Sequence, residues 1–94
     1  MSINQTEAMQ ILITVAETGG FSSAAKKLRM QQSSVSRVVS ALEDSLGISL
    51  LTRTTRKLSF TENGLKYLSE SRRILSEIEN LNQALRKTKE TPQG

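Results

Sequence analysis

Apolar and polar positions from Phe21 to Leu46 predict two helices that are separated by a tight turn. In the second helix Val35, Val39 and Leu42 recur with helical spacing, so one face is expected to pack on a core. Leu46 continues this apolar stripe, whereas the other side carries small polar residues and an arginine. A helix that packs its apolar face on a core and carries short polar side chains on the opposite face is typical of one that enters the major groove of DNA.

One more helix is predicted before this pair, because apolar residues between positions 8 and 16 fall on one helical face. Asn4 or Thr6 is a suitable N-cap, and the glycines at 19 and 20 are expected to end the helix. Ser22 is expected to cap the next helix, and Gly47 to stop the one after it. The first half of the chain is therefore expected to contain three helices.

The residues after Gly47 predict a small β-hairpin, because two short apolar or alternating runs flank a polar, basic tip. A long helix follows, with Thr61 as its N-cap and Glu62 near its positive end. We therefore predict a mainly α protein. Residues 1–60 are expected to form a winged helix-turn-helix of three helices and a β-hairpin wing, 61–89 a long linker helix, and 90–94 a disordered tail.

The second half of the final helix carries apolar residues with heptad spacing. Packing on the chain's own domain suits Leu65 and Leu68, but so small a domain cannot cover a stripe that continues for several more turns. A helix from a second subunit explains the distal part better. The residues expected at this dimer interface are Ile74, Ile78, Leu81 and Leu85.

Composition restricts the chemistry that 94 residues can perform. The chain has no cysteine, which excludes disulfides and thiolate metal sites, and no histidine, the commonest general base. No apolar run is long enough to span a bilayer, and no N-terminal segment resembles a signal peptide, so the expected compartment is the cytoplasm. We expect neither an enzyme nor a cofactor.

The net charge of +4 is unevenly distributed. Residues 22–60 contain seven basic and two acidic side chains, whereas the rest of the chain from 61 onward is nearly balanced. Charges scattered on a surface for solubility remain an alternative, but an excess around a helix pair and hairpin favours nucleic acid. The expected partners of backbone phosphates are Lys26, Lys27, Arg29, Arg53, Arg56 and Lys57.

Base recognition needs short or forked polar side chains near the start of a groove-reading helix. Arg37 can pair with both acceptors of a guanine, and Gln32 can make a bidentate contact with adenine. Ser33 and Ser34 lie beside them, although a serine there can also serve as an ordinary helix cap. These four residues are the predicted base-reading set.

Three stretches of the chain, VAETGGFSSAAKKL, QSSVSRVVSALEDSLGISLLTR and LSFTENG, resemble the DNA-binding domain of bacterial LysR-type transcriptional regulators. The resemblance covers about Met9 to Leu75. It implies a winged helix-turn-helix whose third helix enters the major groove and whose wing touches the DNA backbone or minor groove. It also implies a linker helix that pairs antiparallel with that of a second subunit. Gln32, Ser33, Ser34 and Arg37 match the family's recognition helix, and Arg53 its wing arginine.

Departures from the family pattern change some expectations. Gln31 stands where serine is frequent, which makes it a possible extra base contact, and Val38 is placed to meet a thymine methyl group. Leu51 replaces a usual phenylalanine. The family's effector-binding domain is absent, so an effector would act only through a domain outside this chain. The chain is expected to be a fragment or else a short member.

The leading hypothesis is a homodimeric, sequence-specific DNA-binding domain that recognises an inverted repeat. A coiled-coil interaction module with a merely solubilising basic face is the first alternative. A winged helix-turn-helix that binds RNA or another protein is the second.

Overall fold

The computed structural model describes residues 4–53 and 57–90, which form four helices and one two-stranded antiparallel sheet. The helices are α1 (Gln5–Thr18), α2 (Phe21–Leu28), α3 (Gln32–Leu46) and α4 (Glu62–Glu90), and the strands are β1 (Leu51–Arg53) and β2 (Leu58–Phe60). The predicted mainly α fold, with a hairpin between the third and fourth helices, is confirmed. Glu90, the first residue of the predicted tail 90–94, still belongs to α4, and residues 91–94 lie outside the described part.

Several helix ends follow from local sequence as predicted. The Asn4 side chain caps α1, since its Oδ1 accepts a hydrogen bond from the Glu7 backbone N–H at 3.1 Å. Gly19 and Gly47 end α1 and α3 in the left-handed conformation, with φ values of 90° and 72°. Thr61 caps α4, because its Oγ1 accepts from the Gly64 N–H at 2.9 Å.

The predicted cap of α2 is wrong. The helix begins at Phe21, so its N-cap is Gly20, and Ser22 lies inside the first turn. No side-chain hydrogen bond caps this end. Instead the Ser23 hydroxyl donates to the Thr18 carbonyl at 3.1 Å and so ties the turn to the end of α1.

The core lies where α1, α2 and α3 meet, with the start of β1 and the first turns of α4 closing one side. Val35, Val39 and Leu42 of α3 are almost fully buried, as the apolar stripe predicted. Ala24 is completely buried, and its small side chain lets the neighbouring helices approach closely. Leu46, by contrast, is exposed, because the last residue of α3 lies beyond this core.

The hairpin pairs Leu51 with Phe60 and Arg53 with Leu58. The fully buried Leu50 precedes β1, and its carbonyl accepts a hydrogen bond from the Thr61 N–H at 3.0 Å. The Thr61 hydroxyl also donates to the Ser49 carbonyl at 2.8 Å. The start of the hairpin is therefore fixed to the first turn of α4.

Helix α4 packs on the domain only through its first half. Leu68 and Ser71 are buried, and the Tyr67 hydroxyl accepts a hydrogen bond from Gln5 Nε2 of α1 at 3.1 Å. Leu65 does not pack on the core as predicted: it is 57% exposed, because Gly64 occupies the inner face at this turn.

All side chains of residues 76–88 are exposed. Among the described residues, no helix is long and apolar enough to cross a membrane.

Candidate nucleic-acid interface

The predicted base-reading residues share the first two turns of α3. Gln31, Gln32, Ser33 and Arg37 are exposed, and Ser34 is half-buried. The helix turns its apolar stripe into the core, so these polar side chains project on the remaining surface. Val38 differs from them, because it packs partly against the core and leaves only part of its side chain accessible.

The start of α3 has no side-chain cap. Gln31 is the N-cap residue, and its carbonyl accepts from the backbone N–H groups of Ser34 and Val35. Neither serine is occupied in capping, so the alternative role considered for Ser33 and Ser34 is not seen. Within residues 4–53 and 57–90, no hydrogen bond or ion pair engages the Arg37 guanidinium. The polar groups at this helix end are therefore available to a ligand.

Basic residues border this surface on the α2 side. Lys26 and Lys27 are exposed in the last turn of α2, and Arg29 follows directly in the left-handed conformation, with φ of 58°. Lys27 Nζ lies 3.8 Å from Glu17 Oε1, but both side chains are at least half exposed. An ion pair so exposed to water contributes little to stability. Lys27 can therefore readily leave Glu17 for another anion.

The hairpin supplies the remaining basic residues. Arg53 ends β1 and Lys57, which is exposed, precedes β2. Arg56 lies outside the described residues, so its predicted role at the tip stays a prediction. Arg53 and Lys57 follow the helix pair in sequence, whereas Lys26 lies within it. Both groups of basic residues belong to the same small domain.

Glu43 is the residue of this region that sequence reasoning missed. Its Oε2 accepts hydrogen bonds from the backbone N–H groups of Leu50 and Leu51, at 2.8 and 3.1 Å. Its Oε1 lies 3.5 Å from Arg53 Nη2, and the Arg53 guanidinium carbon lies 5.3 Å from the centre of the Phe21 ring. From the sequence Glu43 is only an acidic residue on α3, because the strand that it contacts comes after the intervening turn.

The predicted dimer residues begin near the middle of α4, at Ile74, and continue along its distal half. Ile74 is half-buried, whereas Ile78, Leu81 and Leu85 are 40%, 60% and 61% exposed. Exposed ion pairs accompany this stripe: Arg73 donates hydrogen bonds to Glu70 and Glu77. These bonds, chiefly the one to Glu70, and the two carboxylate charges raise the pKa of Arg73 above its ordinary value. The structure thus leaves an apolar stripe uncovered on a largely polar helix.

Three helices, a hairpin after the third of them and a polar, basic surface at the start of α3 define a winged helix-turn-helix protein. Residues 6–65 match the family described as "Bacterial regulatory helix-turn-helix protein, lysR family". The chain belongs to this family, as its sequence predicted. Within the described residues, no group of three potential metal ligands occurs.

Similar proteins are named as transcriptional regulators rather than enzymes. The chain is 44% identical over 89 residues to the HTH-type transcriptional regulator CrgA of Neisseria meningitidis, covering 95% of this chain and 30% of that protein. It is 38% identical over 92 residues to the HTH-type transcriptional activator AaeR of Escherichia coli K12, covering 98% of this chain and 30% of that protein. The chain therefore spans about 30% of the length of these curated relatives.

Two solved structures resemble the whole fold. The BenM_DBD/catB site 1 DNA complex superimposes with a TM-score of 0.87 and 27% identity, covering 90% of this chain and 91% of that one. The CbnR_DBD-DNA complex gives a TM-score of 0.83 and 34% identity, with coverages of 88% and 95%. Both are domains of the same size that were solved with DNA.

Proposed function

We propose that this chain binds double-stranded DNA sequence-specifically, as the DNA-binding part of a LysR-type transcriptional regulator in the bacterial cytoplasm. The observation that carries the proposal is the start of α3, where unpaired polar side chains stand on a helix whose back is buried. The likeness to BenM_DBD and CbnR_DBD, which were solved as DNA complexes, supports it.

In this proposal α3 enters the major groove, where each base pair presents its own pattern of donors and acceptors. Arg37 pairs with a guanine and Gln32 with an adenine, each contributing about 1–3 kcal/mol of discrimination between bases. Ser33 and Ser34, which lie between Gln32 and Arg37 in the helix, contact the bases through their shorter side chains. Gln31 adds a contact from the N-cap, and the exposed part of Val38 meets a thymine methyl group.

Basic residues around α3 fix its position by contacting backbone phosphates. Lys26, Lys27 and Arg29 are placed on one side, and Arg53 and Lys57 on the wing; Arg56 would join them from the hairpin tip. Phosphate contacts release counterions and give no sequence information. They therefore supply affinity that falls with salt concentration, while the start of α3 supplies specificity.

A second copy of the chain covers the exposed stripe of α4. The proposed interface consists of Ile74, Ile78, Leu81 and Leu85, paired with the antiparallel α4 of the partner. Residues 1–60 then form the DNA-binding unit and residues 61–89 the dimerisation helix. Two recognition helices related by a twofold axis match an inverted-repeat operator. Any effector would bind to a domain outside this chain.

Selection of bound duplexes from a random pool at fixed salt concentration tests the proposal. We expect an enriched inverted repeat whose half-sites are separated by about one helical turn. Binding should weaken steeply as salt rises. A coiled-coil interaction module would instead dimerise without enriching any sequence and without salt-dependent binding, and that result would contradict the proposed function.

A further inference from the structure

We propose that Glu43 and Phe21 are positioning residues that hold the Arg53 guanidinium in place for a backbone phosphate. This inference rests on the proposed function, since it concerns the same DNA-binding surface. It starts from two contacts of one partly exposed arginine. The Arg53 side chain is 40% exposed, yet it contacts a carboxylate and an aromatic ring that come from two different helices.

The carboxylate is fixed before it meets the arginine. Two backbone N–H groups, those of Leu50 and Leu51, donate to Glu43 Oε2, which leaves Oε1 turned toward Arg53 Nη2. The Glu43 side chain is only 17% exposed. A carboxylate bound in this way cannot swing aside, so it defines where one terminal nitrogen of the guanidinium lies.

The Phe21 ring provides a second contact for the guanidinium. Phe21 begins α2 and is partly buried against the core, and the Arg53 guanidinium carbon lies 5.3 Å from its ring centre. A cation over the face of a ring is attracted by the ring's quadrupole, and arginine stacks particularly well. The contacts to Phe21 and Glu43, which come from two different helices, together restrict where the guanidinium lies.

This restriction leaves donors for a second anion. A guanidinium has five N–H donors, and the contact with Glu43 Oε1 involves one terminal nitrogen. The remaining edge can meet a phosphate, as arginines commonly do. Because the side chain is already ordered in the free protein, binding DNA would cost less side-chain entropy than it does for a freely rotating arginine.

Glu43→Gln separates this role from general electrostatics. The glutamine oxygen can still accept from Leu50 and Leu51, but the attraction to Arg53 is lost. Removing an acidic charge near DNA should by itself strengthen binding, and Asp44→Asn, at the adjacent exposed position, measures that effect. We expect Glu43→Gln to bind a duplex of mixed sequence about three- to tenfold more weakly than Asp44→Asn at the same salt concentration.

A double-mutant cycle with Arg53→Ala provides the decisive comparison. If Glu43 acts through Arg53, then once Arg53 is alanine Glu43→Gln should change affinity only as much as Asp44→Asn does in the same background, which is the effect of the lost charge. Phe21→Leu keeps apolar bulk, removes the ring and changes no charge, so it should weaken binding when Arg53 is present and have no effect once Arg53 is alanine. If Glu43→Gln still binds more weakly than Asp44→Asn in the Arg53→Ala background, Glu43 only stabilises the hairpin. If Glu43→Gln binds as tightly as Asp44→Asn, or more tightly, with Arg53 present, Glu43 does not position the arginine for phosphate. Either result would overturn the inference.

The wild-type chain distinguishes this inference from the proposed function. If the wild type shows no salt-dependent binding of the duplex, the proposed DNA-binding function and this inference both fail. If the wild type binds but the effect of Glu43→Gln does not depend on Arg53, only the inference fails. NMR relaxation of the Arg53 Nε–H in the free protein gives an independent measurement. We expect a rigid side chain that becomes mobile in Glu43→Gln, with the exposed Arg37 as the mobile reference. Equal mobility of Arg53 and Arg37 in the wild type would overturn the inference as well.

Discussion

Gly64 lies against the backbone carbonyl of Leu50 so closely that a side chain has no room between them. A Cβ atom on Gly64 would also lie 2.9 Å from the carbon of that carbonyl and 3.1 Å from Cδ2 of Phe60. The carbonyl cannot easily move, because it accepts the Thr61 N–H. This contact brings the first turn of α4 onto the start of the hairpin.

Gly64→Ala should therefore destabilise the protein, although alanine normally favours a helix over glycine. The clash involves backbone rather than a flexible side chain, so we expect a loss of about 1–3 kcal/mol in the free energy of unfolding. Urea unfolding at fixed protein concentration measures it. Asn63→Ala, at the adjacent exposed position, is the matched control and should change stability by less than about 0.5 kcal/mol. Equal stability of Gly64→Ala and wild type would contradict the close contact.

Ser71→Ala, in contrast to Gly64→Ala, should stabilise the fold. The side chain is fully buried on the inner face of α4, and its hydroxyl makes no hydrogen bond within the described residues. An unpaired buried hydroxyl costs free energy, so Ser71→Ala should stabilise the fold by about 1 kcal/mol. For a domain of this size that corresponds to a rise in Tm of about 4–8 °C.

The control for this prediction lies two residues earlier on the same helix. Ser69→Ala makes the same chemical change at an exposed position, so it reports only the higher helix propensity of alanine. A larger rise in Tm for Ser71→Ala than for Ser69→Ala is the expected difference. Destabilisation by Ser71→Ala would mean that the hydroxyl has a partner in solution.

The sequence predicted those features that depend on neighbours along the chain. The buried stripe through Val35 and Val39 follows from helical spacing, and the ends of α1 and α3 follow from the glycines at 19 and 47. The polar start of α3 follows from the same periodicity. These features need no knowledge of tertiary contacts, and the structure confirms each of them.

Features that depend on how elements meet were not predictable in this way. Periodicity could not choose between Gly64 and Leu65 as the inner residue of α4, because the choice is made by contact with the Leu50 carbonyl. The bonds from Leu50 to Glu43 cross a turn, so no local pattern indicates them. The arrangement of Arg53 required the same tertiary information, although the resemblance to LysR-type regulators indicated the residue itself.

Arg29 combines conformational strain with a proposed function. It is the only residue other than glycine with a positive φ among the described residues, and a left-handed conformation is unfavourable for a side chain with a Cβ. Arg29→Gly should stabilise the protein by about 0.5–1 kcal/mol and should weaken binding to all DNA sequences. The slope of log affinity against log salt should fall by about one unit, as for any lost phosphate contact.

Arg29→Ala separates these two effects, because alanine keeps the strain and removes the charge. We expect it to weaken DNA binding as much as Arg29→Gly without any gain in stability. Thermal unfolding and binding measured over a salt series give the two quantities. Unchanged affinity in both variants would exclude Arg29 from the phosphate contacts.

Arg37→Ala should affect specificity rather than general affinity. The guanidinium is exposed on the second turn of α3, where it can reach a guanine edge. We expect a loss of about 1–3 kcal/mol on the selected operator, with relaxed preference at one base pair and little change on scrambled DNA. Lys26→Ala, a proposed phosphate contact, should weaken both duplexes alike. An equal loss on both duplexes for Arg37→Ala would make Arg37 a phosphate contact too.

Ile78→Lys should convert the proposed dimer into monomers. Ile78 is 40% exposed in the single chain, and Leu81 and Leu85 continue its apolar stripe toward the end of α4. A lysine in the middle of a paired apolar seam buries an uncompensated charge, which a helix pair of this length cannot tolerate. Gln83→Lys is the matched control, because its position lies about 200° around the helix from Leu81 and Leu85. Sedimentation equilibrium should give a monomer for Ile78→Lys and a dimer for Gln83→Lys, and a dimer that survives Ile78→Lys would place the subunit interface elsewhere.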